Sequence, residues 1–158
     1  MTVRVRVRVA DPDLDAALVA TLRFASDPVG ECSAEYVAAV RDWWISDGRT
    51  VLLEGAPMSG TCGMVTLHEY RRMPLPGRDA GSWGYLGHLF VLPAARGRGV
   101  AAALVEAALA VAAERGYRRV VLSPSARSVP LYRRLGFRGA DELMVWTPPG
   151  HPSEDGGG

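Results

Sequence analysis

Valine and arginine alternate at the start of the chain. Val3, Val5, Val7 and Val9 are separated by Arg4, Arg6 and Arg8. A period of two predicts a half-buried strand with an arginine face. The period then lengthens. Asp11-Pro12-Asp13 offers an N-cap with proline in the first turn, and residues 13–25 read as a helix with Leu14, Leu18 and Leu22 on one face. Asp27-Pro28-Val29-Gly30 breaks it. Ser33 is placed to cap a second helix over 34–45, which ends in Trp43-Trp44. Adjacent helical residues point in different directions, so one tryptophan is expected in the core and the other is available to a pocket.

Strands are predicted over 50–54 and 61–70, joined by a hairpin loop at 55–60. Residues 71–82, RRMPLPGRDAGS, form a polar Pro/Gly loop that is long for a hairpin. Such loops are either functional or simply mobile surface, and the pattern favours neither. An apolar strand over 86–92 ends at Pro93. A turn carrying Arg96-Gly97-Arg98-Gly99 follows, then a long Ala/Leu/Val helix with Leu104, Ala108 and Val111 on one face and Gly116 as its C-terminal cap. A short strand over 119–123, a helix over 128–135 with Pro130 in its first turn, Gly136-Phe137 and a last strand over 142–147 complete the pattern. The predicted class is α/β, in the order β-α-α-β-β-β-α-β-α-β. The sheet is expected to be mixed and partly parallel, with six to seven strands and about four helices. Residues 1–147 read as one domain, and 148–158, PPGHPSEDGGG, as a disordered tail.

Composition narrows the partners. At 158 residues, 48% hydrophobic and 22% charged, the chain can build a globular core. The net charge of +1 gives no electrostatic reason to expect nucleic acid or an anionic membrane. The arginines of the first strand also lack interleaved aromatics for base stacking. No apolar run approaches the roughly 20 residues of a membrane span, and MTVRVRVRV has no apolar export core, so a cytoplasmic location is expected. Cys32 and Cys62 have no metal-ligand spacing and are expected to be reduced thiols, Cys62 in the core; no metal is expected. All 18 basic residues are arginine, so no lysine amine can serve as an internal nucleophile.

The richest chemistry lies in 85–113, YLGHLFVLPAARGRGVAAALVEAALAVAA. A strand, a Gly-rich turn and a helix N-terminus form a phosphate cradle: backbone N–H groups converge and the helix dipole favours negative charge. The turn is not a Walker loop, since no Gly-Lys-Ser/Thr follows, and it lacks the third glycine of the dinucleotide fingerprint. Arg96-x-x-Gly99-x-Ala101 resembles the acetyl-CoA loop of the GNAT N-acetyltransferase superfamily. The preceding Phe90-Val91-x-Pro93 is similar to that family's fourth strand. Leu131-Tyr132-Arg133-Arg134-Leu135-Gly136-Phe137 resembles its Leu-Tyr-x-x-x-Gly-Phe segment.

The resemblance implies acetyl-CoA as co-substrate and direct attack by a neutral amine of a small molecule or peptide. It implies that Phe90, Val91, Arg96, Gly97, Arg98, Gly99, Val100 and Ala101 hold the pantetheine arm and pyrophosphate. Tyr132 matches the family's tyrosine near the leaving sulfur, a candidate general acid. Relatives often carry Glu or His at the strand-four positions that are Tyr85 and Gly87 here, neither of which is a conventional base. His88 is offset by one residue and points to the opposite face of a regular strand, unless a bulge re-aims it. His68, Glu69 or an ordered water are the other candidates for the base. Only four residues separate Phe137 from the last predicted strand at Glu142, which leaves no room for a long last hairpin, so the acceptor pocket is expected from Phe24, Tyr36, Trp43, Trp44 and the 71–82 loop, with Arg71 and Arg72 at its edge. His68, Tyr70 and Tyr85 are further acceptor-binding candidates. Members of the family often form homodimers. The rival reading is a non-catalytic acyl-CoA sensor on the same fold.

Overall fold

The computed structural model describes residues 5–55 and 60–150. The chain divides into two compact units, Met1–Leu122 and Ser123–Gly158. The first holds β1 (Val7–Val9), α1 (Pro12–Ser26), α2 (Ala34–Ile45), β2 (Arg49–Glu54), β3 (Gly63–Arg71), β4 (Ser82–Val91), a single 3-10 turn (Pro93–Ala95), α3 (Val100–Glu114) and β5 (Val120–Val121). The second holds α4 (Val129–Arg134). The sheet order is β1-β2-β3-β4-β5. Its first four strands are antiparallel, and β5 joins β4 in parallel.

Five strands therefore stand where six to seven were expected. The missing one is the predicted strand over 142–147, which has no regular structure; Met144, Val145 and Trp146 are exposed. The apolar run Leu143 to Trp146 supplies strand-forming residues but no hydrogen-bonding neighbour, and the described part of the second unit contains no strand for it to pair with. β4 begins four residues earlier than expected, at Ser82, while β1 is shorter, since Val5 and Arg6 lie outside the ladder. Val3 and Arg4 lie outside the described residues, as does most of the predicted tail.

Two apolar layers sandwich the sheet. Val51, Leu53 and Met64 pack with Val19, Leu22 and Trp44 of α1 and α2. The alternate residues Leu52, Val65 and Leu67 are also fully buried and face α3, which contributes Leu104, Val105 and Ala108. Period two in the strands sends successive residues to the two layers, so both faces are apolar and the sheet is central.

α1 begins as its cap predicts: the Asp11 carboxylate accepts from the Asp13 N–H at 2.8 Å. Its buried face differs from the expected one. Asp15, Ala16, Val19, Ala20 and Leu22 are buried, whereas Leu14 is 82% exposed. A spacing of four drifts off the face of a 3.6-residue helix, and a buried ion pair sets the rotation. Arg8 donates from Nη1 and Nη2 to the two oxygens of Asp15, both at 2.7 Å. The Arg8 guanidinium holds the Asp15 carboxyl below its ordinary range, with the Asp11 N–H adding to the effect. Arg8 is thus a tie between β1 and α1 rather than part of a solvated strand face. α2 starts as predicted, with Ser33 Oγ accepting from the Tyr36 N–H at 3.2 Å.

Both cysteines are free, and Cys62 is half-buried rather than in the core. Its Sγ donates to Glu54 Oε2 at 2.7 Å, and burial together with that carboxylate pushes the thiol up to about 11. Cys62 is therefore protonated and unreactive at neutral pH.

Candidate active site

The Gly-rich turn lies between β4 and α3. Gly97 and Gly99 both have positive φ, +73° and +79°. Gly99 is the N-cap of α3 in the left-handed region, with no side chain capping the helix and no acidic residue in its first turn. Among the described residues, none of the N–H groups of residues 97–102 donates to another backbone carbonyl. The result is a run of uncompensated donors, exposed at residues 97–99, at the positive end of a 15-residue helix, an anion cradle. Val100 is buried and anchors the helix. Arg96 Nε donates to the Val91 carbonyl at 3.0 Å, and its guanidinium lies 5.9 Å from the Phe90 ring. It braces the turn against the end of β4. Arg98 remains exposed.

The edge of β4 is open where an extended ligand could pair. β5 pairs with β4 only at Gly84 and Tyr85, leaving residues 86–91 without a partner on that side among the described residues. On the other side, the Leu92 N–H donates to Cys62, and Phe90 and Val91 lie opposite Met64 and Gly63. Antiparallel ladders alternate in direction, so the Val91 N–H and carbonyl point to the open edge. The Arg96 contact with that carbonyl agrees.

A bulge reshapes the middle of β4. Thr66 faces Gly87 and Met64 faces Phe90, so His88 and Leu89 together oppose Val65. His88 has a φ of +50°, the one positive value at a non-glycine residue among those described. The extra residue turns the imidazole onto the face of Met64 and Thr66, which a regular strand would have denied it. The Thr66 hydroxyl donates to the Gly87 carbonyl at 3.0 Å, and its Oγ1 lies 3.0 Å from His88 Nδ1. With the hydroxyl proton on the carbonyl, Oγ1 is left to accept from Nδ1–H, the tautomer in which Nε2 keeps its lone pair. Burial, then the charges of Arg23 and Arg49, push the imidazole below its ordinary range, so it is neutral at pH 7.

His88 opens onto a cavity of about 260 Å³ between the sheet and helices α1 and α2. Val19 and Arg23 of α1, Tyr36, Ala39, Val40 and Trp43 of α2, and Met64 and Thr66 of β3 complete the wall. Trp43 meets His88 edge-on at 5.6 Å between ring centres, and Arg49 stacks on Trp43 at 4.6 Å.

Tyr36 and Trp43 are thus where the pattern of α2 placed them. Trp44 is the core tryptophan, and neither Phe24 nor the 71–82 loop lines the cavity. His68, Tyr70 and Tyr85 lie outside the cavity wall. His68 and Tyr70 form a separate aromatic row, with Tyr70 stacked on Trp83 at 4.5 Å, and Glu69 accepts from the Tyr117 hydroxyl. Arg23 and Thr66 are site residues that the sequence reading missed. The spacing of Val19 with Arg23, and of Tyr36 with Val40 and Trp43, is the i, i+4, i+7 signal that marks a shared helix face. In the second unit, Tyr132 is buried and meets Phe137 edge-on at 5.5 Å, with Gly136 at φ +92° ending α4.

The comparisons agree with these features. The sequence profile of the acetyltransferase (GNAT) family matches residues 15–137. A GCN5-related N-acetyltransferase from Ralstonia eutropha superposes with a TM-score of 0.66 at 27% identity, covering 91% of this chain and 99% of that one. A predicted acetyltransferase from Clostridium acetobutylicum, solved with acetyl-CoA, gives 0.69 at 17% identity over 91% and 96%. An aminoglycoside N-acetyltransferase in complex with CoA gives 0.70 at 20% identity over 92% and 95%. No curated protein matches the sequence significantly. With an anion cradle at the β4–α3 turn, an open β4 edge and a family match over most of its length, the chain belongs to the GNAT acetyltransferase family.

Proposed function

We propose that the protein is an N-acetyltransferase that moves the acetyl group of acetyl-CoA to a primary amine by direct attack, with His88 as general base and Tyr132 as general acid. The observation that carries this reading is the β4 bulge, which puts a neutral imidazole with a free Nε2 lone pair on the wall of an apolar cavity. An amine held in that cavity gives its proton to Nε2 as its nitrogen forms a bond to the thioester carbon. The Val91 N–H at the open strand edge stabilises negative charge developing on the carbonyl oxygen. The carbon–sulfur bond breaks, the Tyr132 hydroxyl supplies a proton to the departing thiolate, and the products are an amide and the CoA thiol. The amides of residues 97–101 hold the pyrophosphate, and the first turn of α3 adds its dipole.

Residues 1–147 act in this reading as one catalytic domain, supported by a family match that runs across both units. No helix among the described residues is long and apolar enough to cross a membrane, in keeping with a cytoplasmic enzyme. Dimerisation is a further expectation.

Calorimetry with acetyl-CoA, together with thiol release over a panel of amines, tests the proposal on wild type and Tyr132→Phe. The expected result is tight binding, measurable turnover, and kcat lowered by about 10²-fold or more in the variant with binding retained. Binding without turnover on any amine would replace the enzyme by an acyl-CoA sensor. Absence of binding would remove the cradle assignment itself.

A further inference from the structure

The cavity wall has positive charge and no negative charge. Its ionisable residues are Arg23, His88 and the phenol of Tyr36, and no aspartate or glutamate among the described residues lines it. Arg49 adds a second guanidinium behind Trp43. The nearby Asp47 is engaged by Arg49 at 3.6 Å and His68 at 3.7 Å. Arg23 forms no ion pair among the described residues. Its guanidinium has one protein partner there, the Ser26 hydroxyl at 2.8 Å from Nη1. A guanidinium has five donors in a fork that fits a carboxylate, so most of that capacity is open at the rim of the cavity.

The remaining wall is small and largely apolar, with Val19, Ala39, Val40 and Met64 beside the hydroxyls of Tyr36 and Thr66. It holds no carboxylate among the described residues for a second ammonium, and the Trp43 face is already taken by Arg49. The volume lies just below the roughly 300–1,000 Å³ of pockets for drug-sized ligands. A polycationic acceptor would bring further positive charge beside the exposed Arg23 with no carboxylate in the wall to offset it, which disfavours it. A single amine is different, because the same arginine field disfavours its protonated form and favours the neutral nucleophile.

From this charge pattern we infer the substrate class: the acceptor is a small apolar amino acid, its side chain in the cavity, its amine at His88 and its carboxylate on Arg23. The inference rests on the transferase reading for turnover, though not for binding.

The test compares L-phenylalanine with phenethylamine, which lacks the carboxylate, with phenylalanine amide, and with spermidine and kanamycin as polycations. Thiol release is measured on wild type, Arg23→Gln and Arg23→Lys. The wild type should prefer phenylalanine over phenethylamine by up to about fivefold in kcat/KM, the size of an ion pair with an exposed arginine. Arg23→Gln should bring that ratio close to one through KM, and Arg23→Lys should restore part of it. A polycation or the amide as the best acceptor, or a ratio untouched by Arg23→Gln, overturns the inference and leaves the transferase standing. Calorimetry of phenylalanine against the CoA-loaded protein separates the other failure. Binding lost in Arg23→Gln without any turnover keeps the amino-acid site and removes the transferase. No binding and no turnover of phenylalanine removes the inference.

Discussion

The β4–α3 turn and the cavity beside His88 are both parts of one candidate site, yet they are made of different material. The turn is backbone. Its donors are the amides of residues 97–102, its geometry comes from two left-handed glycines, and its field comes from the peptide dipoles of α3. The cavity is side chain. Its wall is assembled from α1, α2, β3 and β4, elements far apart in sequence, and its chemistry depends on one imidazole, one hydroxyl and one guanidinium. A backbone site depends on the conformation of its own few residues, here two left-handed glycines, because every residue but proline supplies an N–H. A side-chain site changes its ligand with a single substitution. The division suits an enzyme that keeps one acyl donor and must select an acceptor.

If the division is real, substitutions on the two sides should separate binding of acetyl-CoA from chemistry. The largest effect is expected from His88→Asn, because asparagine tolerates the left-handed backbone while removing the base. We expect kcat to fall by about 10²- to 10⁴-fold with acetyl-CoA affinity unchanged by calorimetry; a matching loss of affinity would break the separation. The wild-type pH profile should agree. A base works deprotonated, and burial with Arg23 and Arg49 lowers the His88 pKa. Activity should therefore hold through pH 7 and be lost as pH falls through a value below 6.5, the ordinary histidine value. An acid limb above that value would point to another group.

Gly99→Val probes the other side. Nothing lies within 4 Å of a Cβ at Gly99, so the penalty is conformational rather than a clash. A non-glycine residue held in that region costs about 1–3 kcal/mol. Acetyl-CoA binding should weaken by roughly 10- to 100-fold, while the far-ultraviolet circular dichroism stays that of the wild type. Unchanged affinity would show that the loop does not hold the ligand. The smallest effect is expected for Thr66→Val, which removes the hydroxyl that fixes the imidazole tautomer at nearly constant shape. One hydrogen bond of about 1 kcal/mol corresponds to roughly fivefold in kcat, again with acetyl-CoA affinity unaltered.

The same contrast explains how far the sequence could be read. Caps, turns and the cradle involve neighbours within a few residues, so local rules suffice. Asp11 and Ser33 cap their helices as expected, and Gly99 opens α3. Where a feature depends on distant partners, local pattern misled. Leu14 looked like core and is exposed, because the Arg8–Asp15 pair sets the rotation of α1. Residues 142–147 carry a strand-like apolar run, but the described part of their own unit holds no strand to pair with. His68 and Tyr70, two residues apart in β3, share a face with Thr66 and still fall outside the cavity, since α1 and α2 cover only one stretch of that face.

By itself, then, the sequence determined the order of the elements as far as α4, the caps of α1 and α2 and the Gly-rich turn before α3, all of them set by short-range backbone preferences. The tertiary structure alone decided the face of His88, the tautomer of its ring and the presence of Arg23 in the cavity wall. A one-residue bulge reverses the direction of a side chain, and only the register of β3 against β4 reveals where that bulge falls.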